Sequence, residues 1–433
     1  MSHSKQISRR DFLRYSAAAS ATAVVPMFLD ATAALAQDPG PSAGPGRKRQ
    51  PIPGFKDDRI LVVIQLGGGN DGLNTVIPYR DDAYRRARPV LAVPESRVLK
   101  LGSDGEAGKV GLHERLAPLK ELFDNGLVGV INGVGYPNPN RSHFRSMEIW
   151  HTASDSERYE RDGWIGKYFH NCCSGTPEAV CAVNLGPNLP QAFDGMSHGV
   201  GFQQAEQFRW EAGVARDTDA AFRKLNRLAS AAESITQDRP IDFLRHVTSN
   251  IVLSSDRVKA AAGQPRRRVQ YPGSRLSQPL QTIAGLIAAE MPTRLYYTDI
   301  SGFDTHANQQ GGHENLFVQV SGCIKAFYDD LKANGQADRV MIMVFSEFGR
   351  RVEENASRGT DHGTAGPMFL VGDGVKPGVH GTYPSLTDLD QGDLKHTVDF
   401  RSVYGSVLEQ WLDVRHEQVL RRTFPLLELA KKA

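Results

Sequence analysis

Carboxylate, imidazole and hydroxyl side chains recur along this 433-residue chain beside short apolar runs. Gly67-Gly68-Gly69-Asn70-Asp71-Gly72 follows the run at 60–66, and Asn140-Arg141-Ser142-His143 follows the run at 127–134. Asp304-Thr305-His306 and Ser346-Glu347-Phe348-Gly349-Arg350 follow runs at 294–298 and 340–345, and Asp361-His362 precedes a run at 367–371. Oxygen and imidazole nitrogen are the donors that hold zinc, manganese or magnesium. Asp304 and His306, two residues apart on an extended segment, share one side and are candidates for one ion; a plain carboxylate–histidine hydrogen bond is the alternative. His362 belongs either to such a site or to an ordinary turn. Glu347, after a wholly apolar run, is a surface end-cap or a buried carboxylate that needs a cation, with Arg350 as the other partner. Ser142 has the sequence context of a helix N-cap, a position that also favours a bound anion.

Gly67, Gly69 and Gly72 also spell the dinucleotide pattern G-x-G-x-x-G. That pattern needs a helix to open at the glycines, whereas 73–79 is expected to be extended and ends beside Pro78. No obvious acidic residue stands about 20 positions on either. The glycines are instead expected to let backbone approach a bound group while Asp71 directs its carboxylate into the site.

The apolar runs at 60–66, 127–134, 180–185, 294–298, 340–345 and 367–371 have the length and continuity of strands buried on both faces. Helical periodicity lies between several of them: at 112–123; at Leu280, Ile283, Leu286 and Ile287, with Pro279 near the first turn; and at Leu316, Val320, Ile324, Phe327 and Leu331, closed by Gly335. This alternation predicts an α/β fold, a large mostly parallel sheet sandwiched by helices. Ligands of such sheets sit beyond the carboxyl ends of the strands, where the polar residues above collect. The stretch from about 150 to 275 is polar and irregular, with helix-like segments at 218–235 and 241–258. It is expected to be an insertion or cap within a domain spanning 59–433.

The chain has 51 basic and 49 acidic residues, and its first 36 carry four basic against two acidic, so all the excess charge lies there. A neutral remainder disfavours nucleic acid or anionic membranes as partners, because both demand neutralised phosphates. Ser8-Arg9-Arg10-Asp11-Phe12-Leu13, an uncharged Ala-rich middle and Ala34-Leu35-Ala36 form a twin-arginine export signal over 1–36. The middle is too short and too rich in Ala and Ser to remain as a stable membrane span. Residues 37–58, crowded with Pro and Gly, are expected to be a tether. A periplasmic or extracellular location follows. There a disulfide of Cys172 or Cys173 with Cys181 is open, while Cys323 fits a small core position.

SRRDFL, VVIQLGGGNDGLNTVIPY, YPNPNRSHFRSMEIWHTA, GWIGKY, YYTDISGFDTHANQ, VFSEFGRR and GTDHGTAGPMFLVG occur in an order that resembles the domain of unknown function 1501 family across nearly the whole mature chain. That family is similar to the alkaline phosphatase and sulfatase superfamily, which implies a large α/β sandwich with a metal-assisted hydroxyl or formylglycine nucleophile. By this resemblance Asp71, Asp304, His306, Glu347 and His362 bind one or two divalent ions, zinc first and manganese, magnesium or calcium otherwise. Ser142 is the nucleophile with Arg141 beside it, and Asn70, His143 and Arg350 contact substrate. Two departures stand out: the Asp304–His306 spacing is shorter than the superfamily's Asp-x-x-x-His, and Phe348 replaces a histidine. No cysteine precedes the Arg141 region, and Ser142 lies in no recognisable formylglycine context. The implied activity is hydrolysis of a small or polymer-borne phosphate or sulfate ester. The competing expectation is an exported binding or assembly protein that keeps the fold without turnover, as Phe348 would suit.

Overall fold

The computed structural model describes residues 49, 51–52, 54–172, 181–186, 188–195, 199–202 and 269–431. The signal, most of the tether's first part and the helix-like segments at 218–235 and 241–258 lie outside the described residues. So do Cys173 and the side chain of Cys172, and with them the disulfide alternatives.

The centre is a nine-stranded sheet. Its order is β11 (Gly378–His380), β5 (Val128–Gly135), β10 (Gly366–Val371), β9 (Val340–Phe345), β1 (Ile60–Gly67), β8 (Leu295–Ser301), β6 (Ala182–Leu185) and β7 (Gly199–Phe202), with β12 (Val398–Asp399) also on β5. β1 is hydrogen-bonded on both sides, Leu61 lying opposite Leu295 in β8 and Met341 in β9. Both faces of such a strand are covered, which is why Ile60 to Ile64 are apolar without alternation and fully buried. Successive residues face opposite sides. Leu61, Val63, Met341 and Met343 enter a core with Trp150, Trp164, Phe400 and Tyr404. Val62, Ile64, Ile342 and Val344, equally buried, point the other way.

Helices flank this mixed sheet: α3 (Ala117–Asp124), α4 (His143–Thr152), α5 (Trp164–Cys172), α6 (Ser277–Ala288), α7 (Gln309–Ala333), α8 (Phe400–Gln410) and α9 (His416–Leu420). The apolar stripe expected on α7 is buried, and Gly335 follows its end with φ +67°. A smaller core of Leu73, Ile77, Tyr79, Tyr84, Val98 and Leu394 accompanies a three-stranded sheet of β2 (Val76–Ile77), β4 (Gly111–His113) and β3 (Val98–Lys100). The single turn α1 (Gly72–Thr75) leads into β2, and α2 (Asp82–Ala87) follows it.

The sheet is mostly parallel, as expected, with one reversal: β10 runs antiparallel to both of its neighbours, β9 and β5. Three differences from the sequence reading have physical reasons. The helix expected over 112–123 begins at Ala117, since Pro118 is accepted only in a first turn; Gly111–His113 forms β4 instead, and His113 Nδ1 accepts from Arg115 N at 3.1 Å. The segment after the glycines opens with the one-turn α1, closed by Thr75 Oγ1 donating to Asp71 O at 2.7 Å, before becoming extended. The stretch from 150 begins with integral elements: α5 buries Trp164, Ile165, Tyr168 and Phe169, and β6 and β7 extend the sheet.

Candidate functional site

The reversal of β10 explains how five scattered segments share one edge. β1, β5, β8 and β9 finish there, whereas β10 starts there, Gly366 pairing with Val134 near the end of β5. Asp361 and His362, which precede β10, therefore reach the same edge as Asp304, which follows β8.

Asp304 is the hub. Its Oδ1 lies 2.7 Å from Arg350 Nη2, 3.0 Å from His306 Nε2 and 3.1 Å from His362 Nε2, and its Oδ2 lies 3.5 Å from His143 Nε2. The Nε2 atoms of His306 and His362 are 2.9 Å apart. His143, Asp304 and His362 each offer a donor atom within 4.8 Å of the others. The remaining nitrogen of every ring is engaged: His143 Nδ1 with Glu347 Oε1 at 2.8 Å, His306 Nδ1 with Asp361 Oδ1 at 3.0 Å, and His362 Nδ1 with the carbonyl of Arg141 at 2.7 Å. An oxygen on each Nδ1 orients the ring so that its Nε2 is directed at Asp304. His143 Nε2 is buried and has no hydrogen-bond partner among the described residues. Burial raises the Asp304 carboxyl, but the hydrogen bonds of Arg350 and His362 and nearby positive charge outweigh it and bring it down to about 2. The Glu347 hydrogen bond outweighs burial at His143 and raises that imidazole above its ordinary value.

The other residues singled out from sequence have different surroundings. Glu347 is buried and orients His143, while its Oε1 also accepts from Gly68 N at 2.8 Å. Ser142 occupies the N-cap position of α4, exposed, with its own N–H donating to Asn140 Oδ1 at 2.8 Å and no capping bond from its side chain. Arg141 donates through Nε to Asp393 Oδ2 at 2.6 Å and through Nη2 to the same oxygen. Burial raises the Asp393 carboxyl, against the pull of Arg141.

Arg350, expected to contact substrate, is buried, and its guanidinium donates to the carbonyls of Gly68, Gly69, Phe303 and Thr360 and to Asp304. Asn70 is likewise buried, its Oδ1 accepting from Thr75 Oγ1 and lying 3.0 Å from His313 Nε2. Asp71 does not join the Asp304 cluster. It is fully buried against Arg88, with Oδ2 2.5 Å from Nη1, and also accepts from Gln309. Burial would raise its carboxyl, but the Arg88 charge and hydrogen bond hold it below the ordinary value.

The glycines after β1 serve the protein's own packing. A Cβ on Gly68 (φ +117°) would overlap the Asp304 backbone nitrogen, and one on Gly69 (φ +74°) would overlap the Phe348 ring. Phe348 is buried, with its ring centroid 4.9 Å from those of both His143 and His362. It fixes the two imidazoles from one side. Asp361, Gln309, Arg88 and Asp393 were not singled out from sequence. Asp361 adjoins His362 and was within reach; the other three have no local signal.

Solved structures similar to this α/β sandwich include a protein in the alkaline phosphatase superfamily from Vibrio parahaemolyticus, at 9% identity over 87% of this chain and 71% of that one, TM-score 0.32. Ps i-CgsB in complex with k-i-k-neocarrahexaose is another, at 10% identity over 84% and 74%, TM-score 0.36. A third is the C-terminal periplasmic domain of EcEptC from Escherichia coli in complex with Zn, at 10% identity over 75% and 78%, TM-score 0.31. Likeness of that order leaves the chemistry to be argued from the side chains. The chain belongs to the family described as protein of unknown function (DUF1501), whose model matches residues 58–423. Residues 6–26 match the twin-arginine translocation pathway signal sequence, which marks the chain for export. No curated protein matches it. Among the described residues no helix is long and apolar enough to cross a membrane.

Proposed function

We propose that the protein is an exported metal-dependent hydrolase of phosphate or sulfate esters with Ser142 as its nucleophile. The observation that carries this reading is the matched set of three histidines, each anchored through Nδ1 by an oxygen and directing Nε2 at the Asp304 carboxylate. A metal-binding histidine usually has its other ring nitrogen held by an oxygen in this way. The residues fit a divalent ion on a further ground: His143 Nε2 is a buried nitrogen with no hydrogen-bond partner among the described residues. His143, Asp304 and His362 would hold it, with His306 beside them as a further donor, and two imidazole nitrogens with one carboxylate are a zinc donor set that leaves a position open. Glu347 and Asp71, ligand candidates by resemblance, are instead an orienting group and a structural anion in this reading.

A divalent ion held there supplies Lewis-acid polarisation of the ester oxygen and depresses the pKa of a neighbouring hydroxyl. The chain's own residues supply the rest. Ser142 stands in the chain between Arg141, whose carbonyl holds His362, and His143, and it is exposed at the N-terminus of α4. The opening N–H groups of α4, a ten-residue helix, favour an anion beside it. Attack by Oγ, which gives up its proton to solvent water, forms a seryl ester and breaks the bond to the leaving alkoxide, which takes a proton from water. Water then hydrolyses the seryl ester, releasing inorganic phosphate or sulfate and restoring the hydroxyl.

One observation favours the second reading, a binding protein without turnover: the Ser142 side chain makes no capping bond, and no base is bonded to it among the described residues. Protein exported by its native route, loaded with zinc and assayed on a panel of phosphate and sulfate esters, separates the two. The expected result is one ion per chain and turnover that drops on the order of 10³-fold or more in Ser142→Ala with metal content unchanged. Undiminished turnover in that variant removes the nucleophile; no bound metal and no turnover leave the binding protein.

A further inference from the structure

The buried Asp71–Arg88 pair takes no part in the chemistry above, yet it is connected to the site through one side chain. Gln309, first residue of α7, is buried; its Nε2 donates to Asp71 Oδ2, and its Oε1 accepts from Thr305 Oγ1 at 3.0 Å and Thr360 Oγ1 at 2.6 Å. A carboxylate only accepts, so Asp71 fixes which way the amide points and leaves its oxygen for the two hydroxyls. Thr305 lies between Asp304 and His306, and Thr360 lies two residues before His362. Backbone contacts run alongside: Thr360 N donates to Thr305 O at 3.1 Å, and Gln309 N to Arg358 O at 2.9 Å.

The far end of this chain of bonds is rigid. Arg88 donates to Asp71, to Asn74 Oδ1 at 2.9 Å, to Val352 O at 3.0 Å and to Arg351 O at 2.9 Å. Two loops that carry three donor groups thus share one buried amide, which is itself tied to an anion held by Arg88.

We propose that Gln309 is a positioning residue for the ion site. It clamps the 303–306 loop to the 359–362 loop and refers both to the Asp71–Arg88 pair, so that Asp304, His306 and His362 stand at binding distance before an ion arrives. This rests on the metal-site reading above. Ordering two free loops costs backbone entropy at every residue, and a clamp already present in the folded chain spares ion binding that cost.

The test combines amide hydrogen exchange on the metal-free protein with zinc affinity measured by chelator competition. Gln309→Leu removes all three side-chain bonds, whereas Thr305→Val and Thr360→Val each remove one arm; none of these residues is a proposed ligand. Exchange is expected to rise about tenfold or more in both loops of Gln309→Leu, in 303–306 alone for Thr305→Val, and in 359–362 alone for Thr360→Val. Zinc Kd is expected to rise about 10–100-fold in Gln309→Leu, the range for outer-shell changes. Wild-type exchange in both loops, or both threonine variants loosening both loops alike, overturns the clamp. If Gln309→Leu does not fold, the arm-specific pattern of the threonine variants decides. If the wild-type chain binds no zinc while the exchange pattern holds, the metal reading falls and the clamp between the loops stands.

Discussion

His143 Nδ1 lies 2.8 Å from Glu347 Oε1, and Nε2 of the same ring is buried, without a hydrogen-bond partner among the described residues, and 3.5 Å from Asp304 Oδ2. A histidine with one nitrogen fixed by a buried carboxylate and the other directed at an anion is set up to bind a cation between them. Glu347→Gln keeps the shape and an oxygen for His143 and Gly68, and removes only the charge that makes the ring a strong donor to metal. Zinc Kd is therefore expected to rise about tenfold in a chelator competition, with stoichiometry intact. Unchanged affinity would remove His143 from the ligand set.

Asp71 and Arg88 are both fully buried, and each is the other's only ionic partner among the contacts described for it. Deleting one leaves an uncompensated charge in the interior, at a cost of about 3–5 kcal/mol. Asp71→Ala is expected to lose stability of that order in urea unfolding, and Asp71→Asn, which keeps an acceptor for Arg88, distinctly less. Both should still bind one zinc per chain. Loss of the ion in Asp71→Asn without loss of stability would return Asp71 to the ligands.

The central strands were legible because burial on both faces writes itself as an unbroken apolar run, as at Ile60 to Ile64. The edge that carries the site was legible for the same reason: polar residues that follow such runs collect there, and Asp304, His306 and His362 do meet. Direction along a strand leaves no mark in an apolar run, so the reversal of β10 was hidden, although it is what brings His362 to that edge. Asp71 and Glu347 are ligand candidates by resemblance alone; which way their side chains turn, towards Arg88 and His143, is set by tertiary packing that position along the chain does not report. Phe348 reads as a departure from a motif until the structure shows it wedged against Gly69 and two imidazoles.

His151 and His313 titrate away from the proposed ion site. His151 Nε2 contacts Gln65 Oε1 and the Tyr297 hydroxyl, His313 Nε2 contacts Asn70 Oδ1, and burial pushes each imidazole down to about 4. In the unfolded chain both return to about 6.5. Above that pH neither state holds the extra protons, and the contribution to stability is fully present. Between about 6.5 and 4 the unfolded chain takes up protons that the folded chain refuses, so stability falls with pH, by up to about 1.4 kcal/mol per pH unit for each histidine. Urea unfolding followed from pH 7 to 4.5 is expected to show this decline. His151→Gln should be less stable at pH 7 but shallower in its pH dependence by about one proton. A variant that declines as steeply as the wild-type chain would mean that His151 is already charged in the folded protein, and that its contacts with Gln65 and Tyr297 hold an imidazolium.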